Sequence, residues 1–282
     1  MALLAQIEQP SQSRTRRRQL SIPDALAIVA TVILLAVVVI GPRIYSVDPL
    51  TPDGLPLTPP GRGNFFGTDE LGRDVLARVI DGMGLSLLGA LLVIVSGVVI
   101  GGAVGTIAGA ASGSVDTVLM RMTDIFLAVP GPVLAIAVVA ALGPGFGNTL
   151  LALSIVWWPL YARIFRGEVR RIRYSPHIEA ARITGNSRWR ILTRHMIPGA
   201  IPAGIVAASL DVGAVILSLA GLSFLGLGAP APAPELGSMT QQGLTYLDTA
   251  WWVPIVPAVA AALLALVANF LGDIVRDRMR FF

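Results

Sequence analysis

Apolar residues come in long blocks along this chain. Six stretches approach or exceed the roughly 20 residues that a helix needs to cross a hydrocarbon core. They fall at 24–41, 84–110, 117–142, 146–165, 199–221 and 251–272. A soluble α/β chain of this size would break such blocks into short strands and amphipathic helices. The pattern predicts an all-α membrane protein with six transmembrane helices. Residues 1–23 form a basic tail and 24–41 a first transmembrane helix. Residues 42–83 form an external loop with an amphipathic interfacial helix, 84–272 a core of five further helices, and 273–282 a second tail.

The connecting segments carry their own signals. Residues 48–66 are rich in Pro and Gly and read as an irregular loop. Thr68 or Asp69 then suits a helix cap, and Leu71, Val75 and Val79 recur every four residues beside Leu76 and Ile80. That stripe fits a helix lying on the membrane surface. Residues 223–250, with the Pro/Ala run at 229–234, are long enough for a docking surface or a gate. Arg14, Arg16, Arg17 and Arg18 precede the first apolar stretch as in a secretory signal. The apolar run is too long for one and no clean small-x-small site follows, so a retained anchor is expected.

Composition sharpens this picture. Hydrophobic residues make up 54% and charged residues 13%, with a mean hydropathy of +0.74; soluble domains carry roughly 25% charged residues. All 21 basic residues are arginine. With the N-terminus inside, 17 of them fall on the cytoplasmic side and 4 (Arg43, Arg62, Arg73 and Arg78) outside. Positive residues favour the cytoplasmic side, so both termini are expected there. The same placement accounts for a pI near 10.3 without nucleic acid. The absence of cysteine excludes disulfides, thiolate metal sites and cysteine nucleophiles, and the absence of lysine excludes a P-loop. His177 and His195 do not stand at metal-ligand spacing with carboxylates, so no metal site is expected.

Within the spans, Gly97, Gly101, Gly105 and Gly109 recur every four residues and leave one helix face bare. Such a face lets a neighbouring helix pack closely, as fixed structure or as a sliding contact. Pro130, Pro132, Pro159, Pro254 and Pro257 mark kinks. Asp211 lies midway along the fifth stretch, where an ionised carboxylate is costly unless paired or wetted. It is a candidate for a translocation cavity, or for a bond to a neighbouring helix. Asp124 stands three residues after Arg121, a spacing that allows a local pair. Asn269 suits an interhelical contact.

The cytoplasmic segment 166–198 is the most informative. Pro176 suits a helix start, Glu179 falls in the first turn where the dipole favours a carboxylate, Ala180 and Ala181 are strong helix formers, and Gly185 suits an end or a bend. A short, small-faced helix held outside the membrane can insert into a groove on another protein. Its arginines can equally meet anionic headgroups.

The run Glu179-Ala180-Ala181, Gly185 four residues after Ala181, and Ile197-Pro198 resemble the EAA loop of ABC importer permeases. Ile197 stands where Leu is usual, and His195 where Ile is frequent. Residues 67–74, reading GTDELGRD, and 221–228, reading GLSFLGLG, resemble segments of the dipeptide and oligopeptide branch. So does the ending Asn269-Phe270-Leu271-Gly272-Asp273 with Arg276-Asp277. The resemblance covers about 64–277, and the first span and basic tail resemble the C-type permease of such systems. It implies the type I ABC importer membrane fold. Its coupling helix would meet the ATPase through Ser175, Pro176, His177, Glu179, Ala180, Ala181, Thr184, Gly185 and Arg188. It implies a second homologous permease, two ATPase subunits and an external binding protein as partners. ATP and Mg would be bound by the ATPases and no cofactor by this chain. Cargo of the branch includes dipeptides, longer peptides, nickel chelates, haem and glutathione. An ion-driven carrier using Asp211 would be expected to show matched broken halves and several membrane acids. An intramembrane hydrolase would need a histidine at membrane depth.

Overall fold

The computed structural model describes residues 22–61, 63–111 and 113–279. The expected basic tail therefore lies mostly outside the described residues, as do Arg62 and Arg280. Among those described, the regular structure is all helical, with a single isolated bridge between Thr68 and Asp74 and long loops at 45–74 and 225–235. The helices are α1 (Ile22–Ile44), α2 (Val75–Ala110), α3 (Ser114–Ala128), α4 (Gly131–Leu142), α5 (Phe146–Arg173), α6 (Pro176–Ile183), α7 (Arg188–Ile191), α8 (Ile197–Phe224), α9 (Leu236–Gly243) and α10 (Trp252–Met279). A π-turn, Leu192–Met196, joins α7 to α8.

Among the described residues, three helical units are long and apolar enough to cross a bilayer alone: α2, the unit Arg188–Phe224 and α10. The expected third span at 117–142 is two helices, α3 and α4, bent by 89°. The prolines were legible as kinks, but the break is complete. Val129 is extended and Pro130 carries no N–H to continue the ladder. At 28 residues α5 is about 42 Å long, yet Trp157, Trp158, Pro159 and Tyr161 dilute its apolar character. In α1 the stretch Ile28–Ile44 is apolar but shorter than these units.

The helix expected near 68–80 is not a separate surface element. Asp74 caps α2 by accepting from the Ala77 amide at 2.7 Å, and α2 runs unbroken from Val75 through the glycine face. Asp69 cannot cap it because its carboxylate is engaged elsewhere: Oδ1 accepts from the Arg73 amide and Oδ2 from Arg73 Nε. The stripe residues Val75 and Val79 point into the core, and only Leu71 is well exposed.

α2 and α5 form the central pair, and the glycine face is where they meet. A Cβ on Gly101 would overlap the Trp158 carbonyl oxygen, one on Gly105 that of Ala162, and one on Gly109 would sit 2.9 Å from that of Arg166. Gly97 lies under the Tyr161 ring. Membrane helices gain little hydrophobic drive from associating with each other, so this backbone-to-backbone approach is what holds the pair. The main core gathers Val93 and Ile94 of α2, Val139 of α4, Leu153 of α5, Ile216 and Leu219 of α8, and Leu264 of α10. Asn269 of α10 lies directly over Gly213 of α8, the contact expected of it.

At one end of the bundle the GTDELGRD segment forms a rigid cap. Asp69 pairs with Arg73 at 2.7 Å and with Arg78 at 3.4 Å, all three side chains being almost wholly buried. Arg78 also donates to the carbonyls of Pro49 and Pro232, tying the two long loops together. Trp252 donates to the Thr68 carbonyl at 3.1 Å, and buried Glu235 caps α9 through the amides of Gly237 and Ser238. Tyr45 donates to Asp74; burial, then the Asp74 charge, push its hydroxyl above the ordinary tyrosine range.

Candidate coupling surface and membrane acid

The distinctive surface sits where α5, α6 and α8 converge. α6 is one eight-residue helix, too short to be stable alone. Its start follows from Pro176, whose missing N–H costs nothing in a first turn. Its end is a Schellman arrangement. The Gly185 amide donates to the Arg182 carbonyl, and the Asn186 amide to that of Ala181, both within 3.1 Å. Gly185 adopts φ +81°, which a side chain would strain. Ser175 precedes the helix without capping it. Its hydroxyl donates to the Ile172 carbonyl and lies 3.3 Å from His177 Nε2.

The two faces of α6 differ. Ile178 is fully buried and packs with Val169 and Ile172 of α5, Ile191 of α7, Met196 of the π-turn and Ala200 of α8. Through Ile178, α6 shares this second core, separate from the main one, with residues of α5 and α8. The other face carries Pro176, His177, Glu179, Ala180, Thr184 and Gly185, all exposed, with Ala181 half-buried. Exposed Arg188 is the first residue of α7, which Ser187 caps by accepting from the Arg190 amide. Around this face stand Tyr174, Ile183 and Trp189, exposed by 72%, 81% and 72%. Large apolar side chains are thus left open beside this polar face. Sequence patterning did not single them out, because each is isolated among polar neighbours. Beside α6 lies a cavity of about 790 Å³ lined by Arg173, Arg182, Arg188 and Trp189 against the end of α2. His177 and His195 approach to 6.4 Å between ring centres, and no cluster of three metal-ligating side chains occurs among the described residues.

Asp211 sits apart from α6, on α8, and accepts a hydrogen bond from the Tyr161 hydroxyl of α5 at 2.9 Å. The interhelical bond that the sequence left open is therefore formed. Nothing in the spacing could name Tyr161, which is fully buried and 50 positions away. One turn above Tyr161, Trp157 lines an apolar cavity of about 380 Å³ between α4, α5 and α8. Asp124 does not pair with Arg121 as the spacing allowed. It accepts from Arg163 of α5 at 2.6 Å, because α5 places its arginines across from α3.

Residues 97–281 match the model of the binding-protein-dependent transport system inner membrane component. The chain belongs to that family. Among curated relatives it is 39% identical over 250 residues to the probable D,D-dipeptide transport system permease protein DdpC of Escherichia coli K12, spanning 88% of this chain and 84% of that one. It is 39% identical over 229 residues to the di/tripeptide transport system permease protein DppC of Pseudomonas aeruginosa, spanning 79% and 76%. It is also 39% identical over 220 residues to the glutathione transport system permease protein GsiD of Pectobacterium atrosepticum, spanning 78% and 73%. The fold resembles the inward-facing MetNI methionine ABC transporter, with a TM-score of 0.59 at 22% identity, over 71% of this chain and 95% of that one. The chain is a membrane-embedded permease of the ABC importer type, with the type I importer fold.

Proposed function

We propose that this permease carries di- and oligopeptides inward by alternating access, driven by ATP that separate subunits hydrolyse. The observation that carries the reading is the two-sided α6: Ile178 seats it on α5 and α8 while its opposite face is open. Such an element passes a push from a docked partner into two long helices. The partners are two ATPase subunits, which bind ATP and Mg, a second homologous permease and an external binding protein. Six spans cross the inner membrane with both termini in the cytoplasm, α3 and α4 together forming the third. The arginine distribution supports that orientation.

A second reading, import of glutathione, is favoured by the similarity to GsiD. Glutathione is itself a peptide, and the two readings share one mechanism. The test is uptake in proteoliposomes holding the complete transporter and its binding protein. Labelled dipeptide is expected to accumulate only with ATP, regardless of proton or sodium ionophores. Accumulation driven by an ion gradient without ATP would overturn the reading.

A further inference from the structure

The broken third span is held in an unusual way. α3 has 15 residues, and Thr123 is its only buried one. Val118, Met122 and Ile125 face outward, with exposures of 57%, 53% and 68%. Phe126 of α3 meets Trp158 of α5 edge-on, ring centres 5.3 Å apart, and ion pairs add directed contacts between the same two helices. On α5, Arg163, Arg166 and Arg170 stand three and four residues apart and share one face. Arg166 grips Asp116 with two parallel bonds, Nε to Oδ1 at 2.5 Å and Nη2 to Oδ2 at 2.7 Å. Arg170 adds a contact to Asp116 at 3.5 Å, and Arg163 holds Asp124 two turns further along α3.

The exposures of these pairs rank them. Arg163 and Asp124 are 55% and 49% exposed, and such an ion pair is worth little by itself. Arg166 and Asp116 are 29% and 16% exposed and bidentate, a geometry that fixes direction as well as distance.

We infer that Asp116 and Arg166 are the positioning pair that makes α3 follow α5 during transport. Two turns beyond Arg166, α5 ends at Arg173, and Tyr174 and Ser175 connect it to α6. Val169 and Ile172, between these points, pack on Ile178. Movement of α6 thus reaches the last turns of α5, and the ion pair passes it to α3. At the other end of α3, the break at Val129–Pro130 joins it to α4. Gly131, Pro132, Ala135 and Ile136 of α4 form one wall of the 380 Å³ apolar cavity. The pair therefore links the ATPase-facing element to a wall of the membrane cavity by a route independent of α8. The inference rests on the proposed role of α6.

The test uses the complete transporter in proteoliposomes with three variants: Asp116→Arg, Arg166→Asp, and both together. ATPase recruitment is read first, since its loss would concern α6 and not this pair. Each single reversal is expected to raise the ATP consumed per peptide imported about tenfold, with the double reversal recovering most of the loss. If a single reversal prevents assembly, Asp116→Asn, which keeps the shape and loses the charge, is expected to show the same direction. Because the chain lacks cysteine, spin labels can be placed at Val118 and Leu160 alone. Their separation is expected to stay constant between nucleotide-free and vanadate-trapped states. Wild-type coupling in the single reversals or in Asp116→Asn, failure of the double reversal to recover in an assembled complex, or a label distance that changes between states would each overturn the inference.

Discussion

Truncating Ile178 to Ala probes how α6 is joined to the membrane bundle. The side chain is fully buried in a pocket made by Val169, Ile172, Ile191 and Met196. Removing a buried Ile side chain down to Cβ costs about 2–5 kcal/mol. The lower part of that range applies, because the adjacent loop 185–196 is open on one side and can relax. A loss of about 3 kcal/mol shifts the balance between seated and unseated α6 roughly 150-fold. Eight residues cannot keep a helix by themselves, so an unseated α6 also frays from its first turn. On the proposed reading the outer face remains available to the ATPase, which should still bind and turn over. Transmission to α5 and α8 should fail. In proteoliposomes, ATP hydrolysis by Ile178→Ala is therefore expected to continue while peptide import falls, so that ATP per peptide rises about tenfold or more. Ile183→Ala is the matched control, since Ile183 is 81% exposed and supports no internal packing. It is expected to weaken ATPase binding instead and to leave the ratio of hydrolysis to import near wild type. Wild-type stoichiometry in Ile178→Ala, or the same defect in both variants, would refute the reasoning.

Two further variants test the membrane part. In Gly101→Ala the new methyl overlaps the Trp158 carbonyl oxygen, and relieving it is expected to cost about 1–3 kcal/mol and lower the melting temperature in detergent; Gly147→Ala, with open space around it, should melt like wild type. Equal melting of the two would remove close α2–α5 packing as the reason for the glycine face. Asp211→Asn keeps an acceptor for the Tyr161 hydroxyl and should assemble normally while importing less, whereas Asp211→Ala leaves that hydroxyl unpaired and is expected to cost about 1–3 kcal/mol of stability. Wild-type import by the Asn variant would remove any role for the charge.

Local chemistry was readable from the residues, and long-range pairing was not. The bounds of α6 follow from Pro176 and Gly185 because a helix start and a helix end are decided within a few positions. The bare face of α2 was visible at Gly97, Gly101, Gly105 and Gly109, but a gap does not say what fills it. Its occupant is α5, through backbone atoms that have no sequence signature. The same limit explains Asp124, whose neighbour Arg121 matched the helical spacing while Arg163, 39 positions away, supplied the bond. In the GTDELGRD segment the sequence offered Thr68 or Asp69 as the cap, and the structure uses Asp74. Asp74 takes that place because buried Arg73 and Arg78 draw the Asp69 carboxylate into an ion cluster. Pro130 announced a kink, but its 89° size depends on how α3 and α4 each lie against α5.

The most direct measurement of the central claim uses a single cysteine at Ala180, the only thiol the chain would then contain. With the ATPase present, a short bifunctional thiol reagent is expected to join Ala180→Cys to the ATPase, and Ile178→Cys, buried on the opposite face, to remain unjoined. A cysteine at Ala180 that never links to the ATPase, or that a membrane-impermeant reagent labels from outside intact cells, would contradict the account.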